Sequence, residues 1–150
     1  MSLRNRIPED IKNALKNKNP LELTVLRMLQ AAIKNKEIDK SGKVELSDEE
    51  VIEVVNTEVK KRRDAAKEYE NVSRQDAADQ ERAEIEILMK YMPAQLGEDE
   101  IRAVIKKAVL ETQATSMKDM GKVMKLVMPE VKGKADGSLV SKIVKEELDT

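Results

Sequence analysis

The residues best placed for chemistry are lysines in the last third of the chain. Between positions 118 and 134, five lysines stand against two acidic residues: Lys118, Lys122, Lys125, Lys132 and Lys134 against Asp119 and Glu130. The first three are spaced i, i+4, i+7, which predicts one shared helix face. Such a face can contact phosphates, and Gly133 would let backbone amides approach them. The alternative interpretation is a lysine face that only keeps the protein soluble.

The amino-acid composition excludes many kinds of catalytic and metal-binding site. The 150 residues include no His and no Cys, and the only aromatic residues are Tyr69 and Tyr91. The commonest general base, thiolate chemistry and disulfides are therefore absent. Acidic pairs could bind a hard cation, but we expect Glu49–Glu50 to cap a helix and Glu146–Glu147 to be a solvated helix end. The sequence predicts no catalytic residue, no metal site and no cofactor.

Charge and hydropathy restrict the partners and the location. With 28 basic and 29 acidic residues the formal charge is −1, so no overall field attracts DNA or a membrane surface. The first residues, MSLRNRIPED, carry no apolar leader, and the chain has no long uncharged run. We expect a cytoplasmic protein, with no membrane and no DNA as partner. The scarcity of aromatic residues favours folded RNA over single strands, because base stacking needs aromatic rings.

Helical periodicity predicts an all-α fold with an N-terminal lobe of about four helices, residues 1–93, and a three-helix tail, residues 94–150. Pro93 and Gly97 interrupt the pattern between them. The lobe's first helix is expected over 8–18, and the next three are expected to be capped by Asn19, by Ser47 and by Ser73 with Asp76. A polar turn is expected over 40–43. The tail helices are expected over 98–111, 117–128 and 137–148.

A short basic run and several methionines have other interpretations. Four successive basic residues, Lys60, Lys61, Arg62 and Arg63, spread around a helix. We therefore expect surface salt bridges with acidic neighbours such as Glu58, and an RNA contact is the alternative. Six of the eight methionines lie between positions 89 and 128, and exposed thioethers suit adaptable protein interfaces. We expect Met120, Met124 and Val127 to pack in the tail's core instead.

The stretch VKGKADGSLV, residues 131–140, holds two of the five glycines. We expect Pro129 to end a helix, Gly133 to take a positive φ, and Asp136 to cap the helix that starts at Gly137. A plain helix connector is the alternative to a ligand site. Gly121 lies inside a predicted helix, where glycine costs about 1 kcal/mol relative to alanine, so we expect close packing or a ligand there.

Several motifs resemble the GatB/YqeY family. GKVM at 121–124, Met128-Pro129 and KGKADG at 132–137 resemble the C-terminal tail of the GatB subunit of the glutamine-dependent aspartyl/glutamyl-tRNA amidotransferase. LTVLRM at 23–28, the residues Lys60, Lys61, Arg62 and Asp64, the junction Tyr91-Met92-Pro93 and the length resemble a stand-alone YqeY-like protein from end to end.

This resemblance implies tRNA as the partner. We therefore predict a non-catalytic, tRNA-binding or amidotransferase-related accessory protein whose RNA-binding residues are Lys118, Lys122, Lys125, Lys132, Gly133 and Lys134, with Asp136 and Gly137 forming the turn and cap. One alternative is an adaptor that docks on an amidotransferase or aminoacyl-tRNA synthetase complex. A weaker alternative, implied only by the resemblance, is carbon–nitrogen ligation with glutamine as amide donor. The sequence shows no P-loop spacing and no distinguishable nucleophile and base for that reaction.

Overall fold

A computed structural model describes residues 1–40 and 44–149. These residues contain seven α-helices, one 3₁₀ turn at Met117–Asp119 and no strand, which confirms the all-α prediction. The helices are α1 Leu3–Lys16, α2 Pro20–Asp39, α3 Asp48–Asn71, α4 Gln75–Met89, α5 Glu98–Thr112, α6 Met120–Val131 and α7 Gly137–Leu148. No described helix is both long enough and apolar enough to cross a bilayer.

The chain divides into two compact units, Met1–Met92 and Pro93–Thr150. The first contains α1 to α4 and the second contains α5 to α7. Each unit has its own apolar core. In the first, one face of every helix is buried, and the residues least accessible to solvent are Ile7, Val25, Leu26, Leu29, Val51, Val55, Val59 and Leu88. Burying side chains of this size contributes about 1.5–3 kcal/mol each relative to exposure.

Two caps in the first unit confirm the sequence analysis. The Asn19 side chain accepts a hydrogen bond from the Glu22 backbone N–H at 3.2 Å, and Pro20 occupies the first turn of α2. At the start of α3, Ser47 and Glu50 form a capping box in which each side chain binds the other residue's backbone N–H. The Glu49–Glu50 pair therefore lies at a helix start, as expected.

Other boundaries differ from the prediction. The first helix begins at Leu3 rather than at Pro8, because the Ser2 hydroxyl caps it by accepting from the Asn5 N–H at 3.1 Å. Pro8 thus lies inside α1. The predicted cap by Ser73 and Asp76 is wrong. Ser73 adopts a φ of 60° in the turn, and α4 starts after Arg74 without a side-chain cap. Of the expected polar turn, Lys40 is the C-cap of α2, while 41–43 lie outside the described residues.

The expectation that all of the basic residues at 60–63 lie on the surface is wrong for Arg62. It is only 7% exposed, and its guanidinium donates to Glu58 at 2.8 Å and to Glu84 at 3.2 Å. Glu58 is the expected partner one turn earlier on α3. Glu84 belongs to α4, so the contact joins two helices whose relative placement the sequence does not reveal. Lys61 does form the expected surface pair with Glu58, at 4.0 Å.

A second charged contact joins α1 to α2. Arg4 donates to both carboxylate oxygens of Glu37, at 2.6 and 3.0 Å, and the Leu46 N–H donates to the same carboxylate at 2.9 Å. Glu37 is 8% exposed. The hydrogen bond from Arg4 lowers the pKa of Glu37 below its ordinary value, so the carboxylate is charged at neutral pH.

We predict that Glu37→Gln destabilises the first unit by about 1–3 kcal/mol at neutral pH, because charge-assisted hydrogen bonds are lost. Because the pKa of Glu37 is lower in the folded than in the unfolded chain, its charged form stabilises the fold at pH values above the unfolded pKa. That stabilisation is lost as the pH falls through the folded pKa. The difference between wild type and variant should therefore shrink in acid. Urea unfolding followed by circular dichroism at neutral and acidic pH measures it.

The matched control is Glu45→Gln, which removes an exposed carboxylate 3.4 Å from the same arginine. This change should cost only a few tenths of a kcal/mol. An equal loss in the Glu37 variant at both pH values would contradict the assigned role of the carboxylate.

Candidate functional site

The candidate site lies on the second unit, where three helices bury one core. Its fully or nearly buried residues are Ile101, Ile105, Ala108, Val123, Val127, Val131, Val140, Ile143, Val144 and Leu148. Val127 belongs to this core, and Met120 and Met124 pack against it partly buried, as the sequence predicts. Because the buried residues of α6 follow a helical period, Lys122 and Lys125 lie on its exposed side.

Lys118 is not part of α6, although the sequence predicts a helix starting at 117. It lies in the 3₁₀ turn Met117–Asp119, and α6 begins at Met120. The turn is closed locally, because the Ser116 hydroxyl accepts from the Lys118 N–H at 3.3 Å and Asp119 accepts from the Thr115 N–H at 2.9 Å. The prediction of three lysines on one continuous helix is therefore wrong at its first member.

All five candidate lysines are exposed. The Lys122 ammonium lies 3.9 Å from the Asp119 carboxylate. The Thr115 backbone N–H lowers the pKa of Asp119 below its ordinary value, so this carboxylate offsets part of one lysine's charge. Lys118, Lys125 and Lys134 form no ion pair with the residues that the structure describes. The surface therefore keeps a net positive charge, which can attract an anion.

The turn after α6 has the predicted backbone but a different starting point. α6 continues through Pro129 and ends at Val131, so the prediction that Pro129 ends the helix is wrong. A proline in the last turn removes only one helical hydrogen bond, and its φ is compatible with a helix. Gly133 has a φ of 76°, and the Asp136 side chain accepts from the Ser138 N–H at 3.2 Å. Both of these predictions are confirmed.

Gly133 is buried, and its carbonyl faces its own unit. The carbonyl oxygen accepts a hydrogen bond from the Gln95 side-chain amide at 2.9 Å, and the next carbonyl, that of Lys134, accepts from the Leu96 N–H at 2.8 Å. Gly133 is thus placed to shape the turn that carries Lys132 and Lys134. The sequence gives no indication of this role of Gln95, since its partner is 38 residues away.

The other two tail glycines have open surroundings. A Cβ on Gly121 or on Gly137 would meet no atom within 4 Å. Close packing at Gly121 is therefore not observed, and that part of the prediction is wrong. Gly137 is simply the first residue of α7, next to its cap Asp136.

The Glu146–Glu147 pair also differs from expectation. Arg102 on α5 donates to Glu146 at 3.0 Å, to Glu147 at 2.9 Å and to Glu98 at 2.9 Å. These contacts raise the pKa of Arg102 above its ordinary value. The pair links α7 to α5 and is not merely a solvated helix end. In the part of the chain that the structure describes, no group of three or more acidic side chains is arranged to hold a metal ion.

Comparison with known proteins gives one family and several relatives. The sequence pattern described as "Yqey-like protein" matches residues 4–148. A protein of Pyrenophora tritici-repentis named "Altered inheritance of mitochondria protein 41, mitochondrial" is 32% identical over 145 residues, which cover 94% of this chain and 78% of that protein. Proteins of the same name from Clavispora lusitaniae and Candida glabrata are 39% and 31% identical over 55% and 62% of this chain.

The matches to the last two relatives span only 47% and 53% of those proteins. All three relatives are named as mitochondrial proteins. The expectation of a cytoplasmic location, which rested on the absence of an apolar leader and of a long uncharged run, is therefore wrong by this comparison.

Two glycine substitutions test how the site is built. We predict that Gly133→Ala destabilises the second unit by about 1–2 kcal/mol, because a non-glycine residue is strained at positive φ. Gly121→Ala should stabilise it by up to about 1 kcal/mol, because its Cβ enters open space in a helix. Native-state amide hydrogen exchange of α6 and α7 in the full chain measures both. Equal effects of the two substitutions would contradict this assignment.

Proposed function

This chain belongs to the Yqey-like protein family, and from that premise we propose that its second unit binds folded RNA, with tRNA the first candidate, and catalyses no reaction itself. tRNA is the first candidate because residues 121–137 resemble the tail of an amidotransferase subunit that works on tRNA. The binding surface consists of Lys118, Lys122, Lys125, Lys132 and Lys134, and is called the lysine face below. Gly133 and Asp136 hold the turn in shape and do not contact the RNA.

The observation that carries the proposal is the incomplete neutralisation of the lysine face. Three of its exposed ammonium groups, on Lys118, Lys125 and Lys134, form no ion pair with any described residue. The formal charge of the whole protein is −1, so its overall electric field does not attract RNA. Locally, however, ammonium groups placed along α6 and at both of its ends can replace the counterions of a phosphate backbone.

The second unit favours a folded RNA over a single strand. Tyr69 and Tyr91 both belong to the first unit, so the second unit has no aromatic side chain on which a base could stack. Lysines supply charge without reading base edges. Recognition through this face would therefore depend on the spacing of phosphates in a folded RNA rather than on its sequence.

A second candidate function has one observation in its favour. Three large apolar side chains of the second unit are exposed, namely Leu110 at 78%, Met117 at 40% and Leu126 at 41%. Such side chains suit a protein partner, for example an amidotransferase or aminoacyl-tRNA synthetase complex. Binding of that kind would depend little on salt, which separates it from the proposed RNA binding.

Ligation with glutamine as amide donor is the third and weakest candidate, because it rests on family resemblance alone. It would require a nucleophile activated for glutamine hydrolysis. Release of ammonia from glutamine by the purified chain would establish it.

We predict that total tRNA binds the full chain with an affinity that falls steeply with salt. Lys122→Gln with Lys125→Gln should weaken binding at low salt by about tenfold or more and reduce the slope of log K against log salt by about 2. Filter-binding titrations at several salt concentrations measure both quantities. Lys132→Glu with Lys134→Glu extends the test to the turn after α6.

The matched control is Lys106→Gln with Lys145→Gln, which removes the same charge from exposed positions on α5 and α7. The control should retain nearly all of the affinity. Failure of the intact chain to bind tRNA at low salt would overturn the proposal. Equal losses of affinity in the Lys122/Lys125 variant and in this control would overturn it as well.

A further inference from the structure

A groove in the first unit carries a different inference. It lies between α1 and α2 and has a volume of about 410 Å³. This volume falls in the range of pockets that hold small organic ligands. Ile7, Pro8 and Ile33 give it an apolar wall, and Arg27, Gln30 and Lys34 give it a polar one.

The charges in the groove are not balanced. Among its lining residues, Arg4, Arg27 and Lys34 are basic, and Glu37 is the single acidic residue. Arg4 holds Glu37 through two hydrogen bonds, of 2.6 and 3.0 Å, and also lies 3.4 Å from Glu45, which does not line the groove. Lys34 acts on Glu37 only through its charge. Arg27 and Lys34 are exposed and form no ion pair with a described residue. These two cationic side chains are therefore free to contact a ligand.

The helix places these two cations to act together. Arg27 and Lys34 are seven residues apart on α2, nearly two full turns, so both lie on the same face with about 10.5 Å between their positions along the axis. Gln30 lies between them and can donate a hydrogen bond through its amide. Ala31, also in the groove, has too short a side chain to fill this space. The long side chains of Arg27 and Lys34 can thus converge on one group.

We propose that this groove binds a phosphomonoester attached to an apolar or planar body. A phosphomonoester carries close to two negative charges at neutral pH, so it can bind the two exposed cations, Arg27 and Lys34, together. A guanidinium binds phosphate through two parallel hydrogen bonds, while an ammonium acts as a point charge. The apolar wall of Ile7, Pro8 and Ile33 would contact the body. A free nucleotide and the 5′-terminal phosphate of an RNA chain present the same group.

The experiment is an amide-proton and nitrogen NMR titration of the full chain in phosphate-free buffer. Adenosine 5′-monophosphate is the probe, and adenosine, which lacks the phosphate, is its matched control. A second pair of probes is one short RNA oligonucleotide with and without a 5′-phosphate. The protein variants are Arg27→Gln with Lys34→Gln and, as control, Lys16→Gln with Lys36→Gln. Lys36 lies on the opposite side of α2 from Lys34, and Lys16 lies outside the groove.

We expect the phosphorylated probes to shift amides of residues 4–7 and 27–34, and the unphosphorylated probes to shift them far less. The groove variant should bind at least about tenfold more weakly than wild type, while the control variant should bind like wild type. A response to the nucleotide identifies a free ligand, and a response to the phosphorylated RNA alone identifies a chain end. The proposal is overturned if neither phosphorylated probe shifts these amides up to about 10 mM. It is also overturned if both variants weaken binding equally.

Discussion

Two hydrogen bonds to one turn determine how the second unit presents its charge. Gln95 donates to the Gly133 carbonyl and the Leu96 N–H donates to the Lys134 carbonyl, so the segment before α5 is fastened to the turn between α6 and α7. The positive φ of Gly133 is what directs these carbonyls inward. Because the backbone of the turn is held from the inside, the side chains of Lys132 and Lys134 are left in solvent.

The charged residues of this chain divide into two kinds of role. Three arginines join helices that are distant in sequence: Arg4 binds Glu37, Arg62 binds Glu84, and Arg102 binds Glu146 and Glu147. A planar guanidinium suits these contacts, because it can donate to several acceptors at once. Most lysines remain exposed, on flexible stems. These three arginines thus hold helices of each unit together, whereas the lysine face and the groove between α1 and α2 keep charge available for anions.

What the sequence predicted well was local. The caps by Asn19, Ser47 and Asp136 and the positive φ of Gly133 each depend on a few neighbouring residues, and the structure confirms them. What it missed depends on contacts between distant residues or on weak preferences at helix ends. Arg62 with Glu84 and Gln95 with Gly133 belong to the first kind. The helical positions of Pro8 and Pro129 also belong to the first kind, because burial of Ile7 in α1 and of Val127 and Val131 in α6 offsets the hydrogen bond that each proline removes. The exposure of Lys122 and Lys125 followed from helical periodicity, while the separation of Lys118 from α6 did not.

The central claim is that tRNA contacts the lysine face, and the most direct measurement is lysine-acetylation footprinting by mass spectrometry. The full chain is labelled briefly at low salt with and without tRNA, and the modification of each lysine is compared. Lys118, Lys122, Lys125 and Lys134 should be protected by tRNA, whereas Lys106 and Lys145, also exposed on the second unit, should be labelled as before. Labelling of all six to the same extent with and without tRNA would contradict the claim.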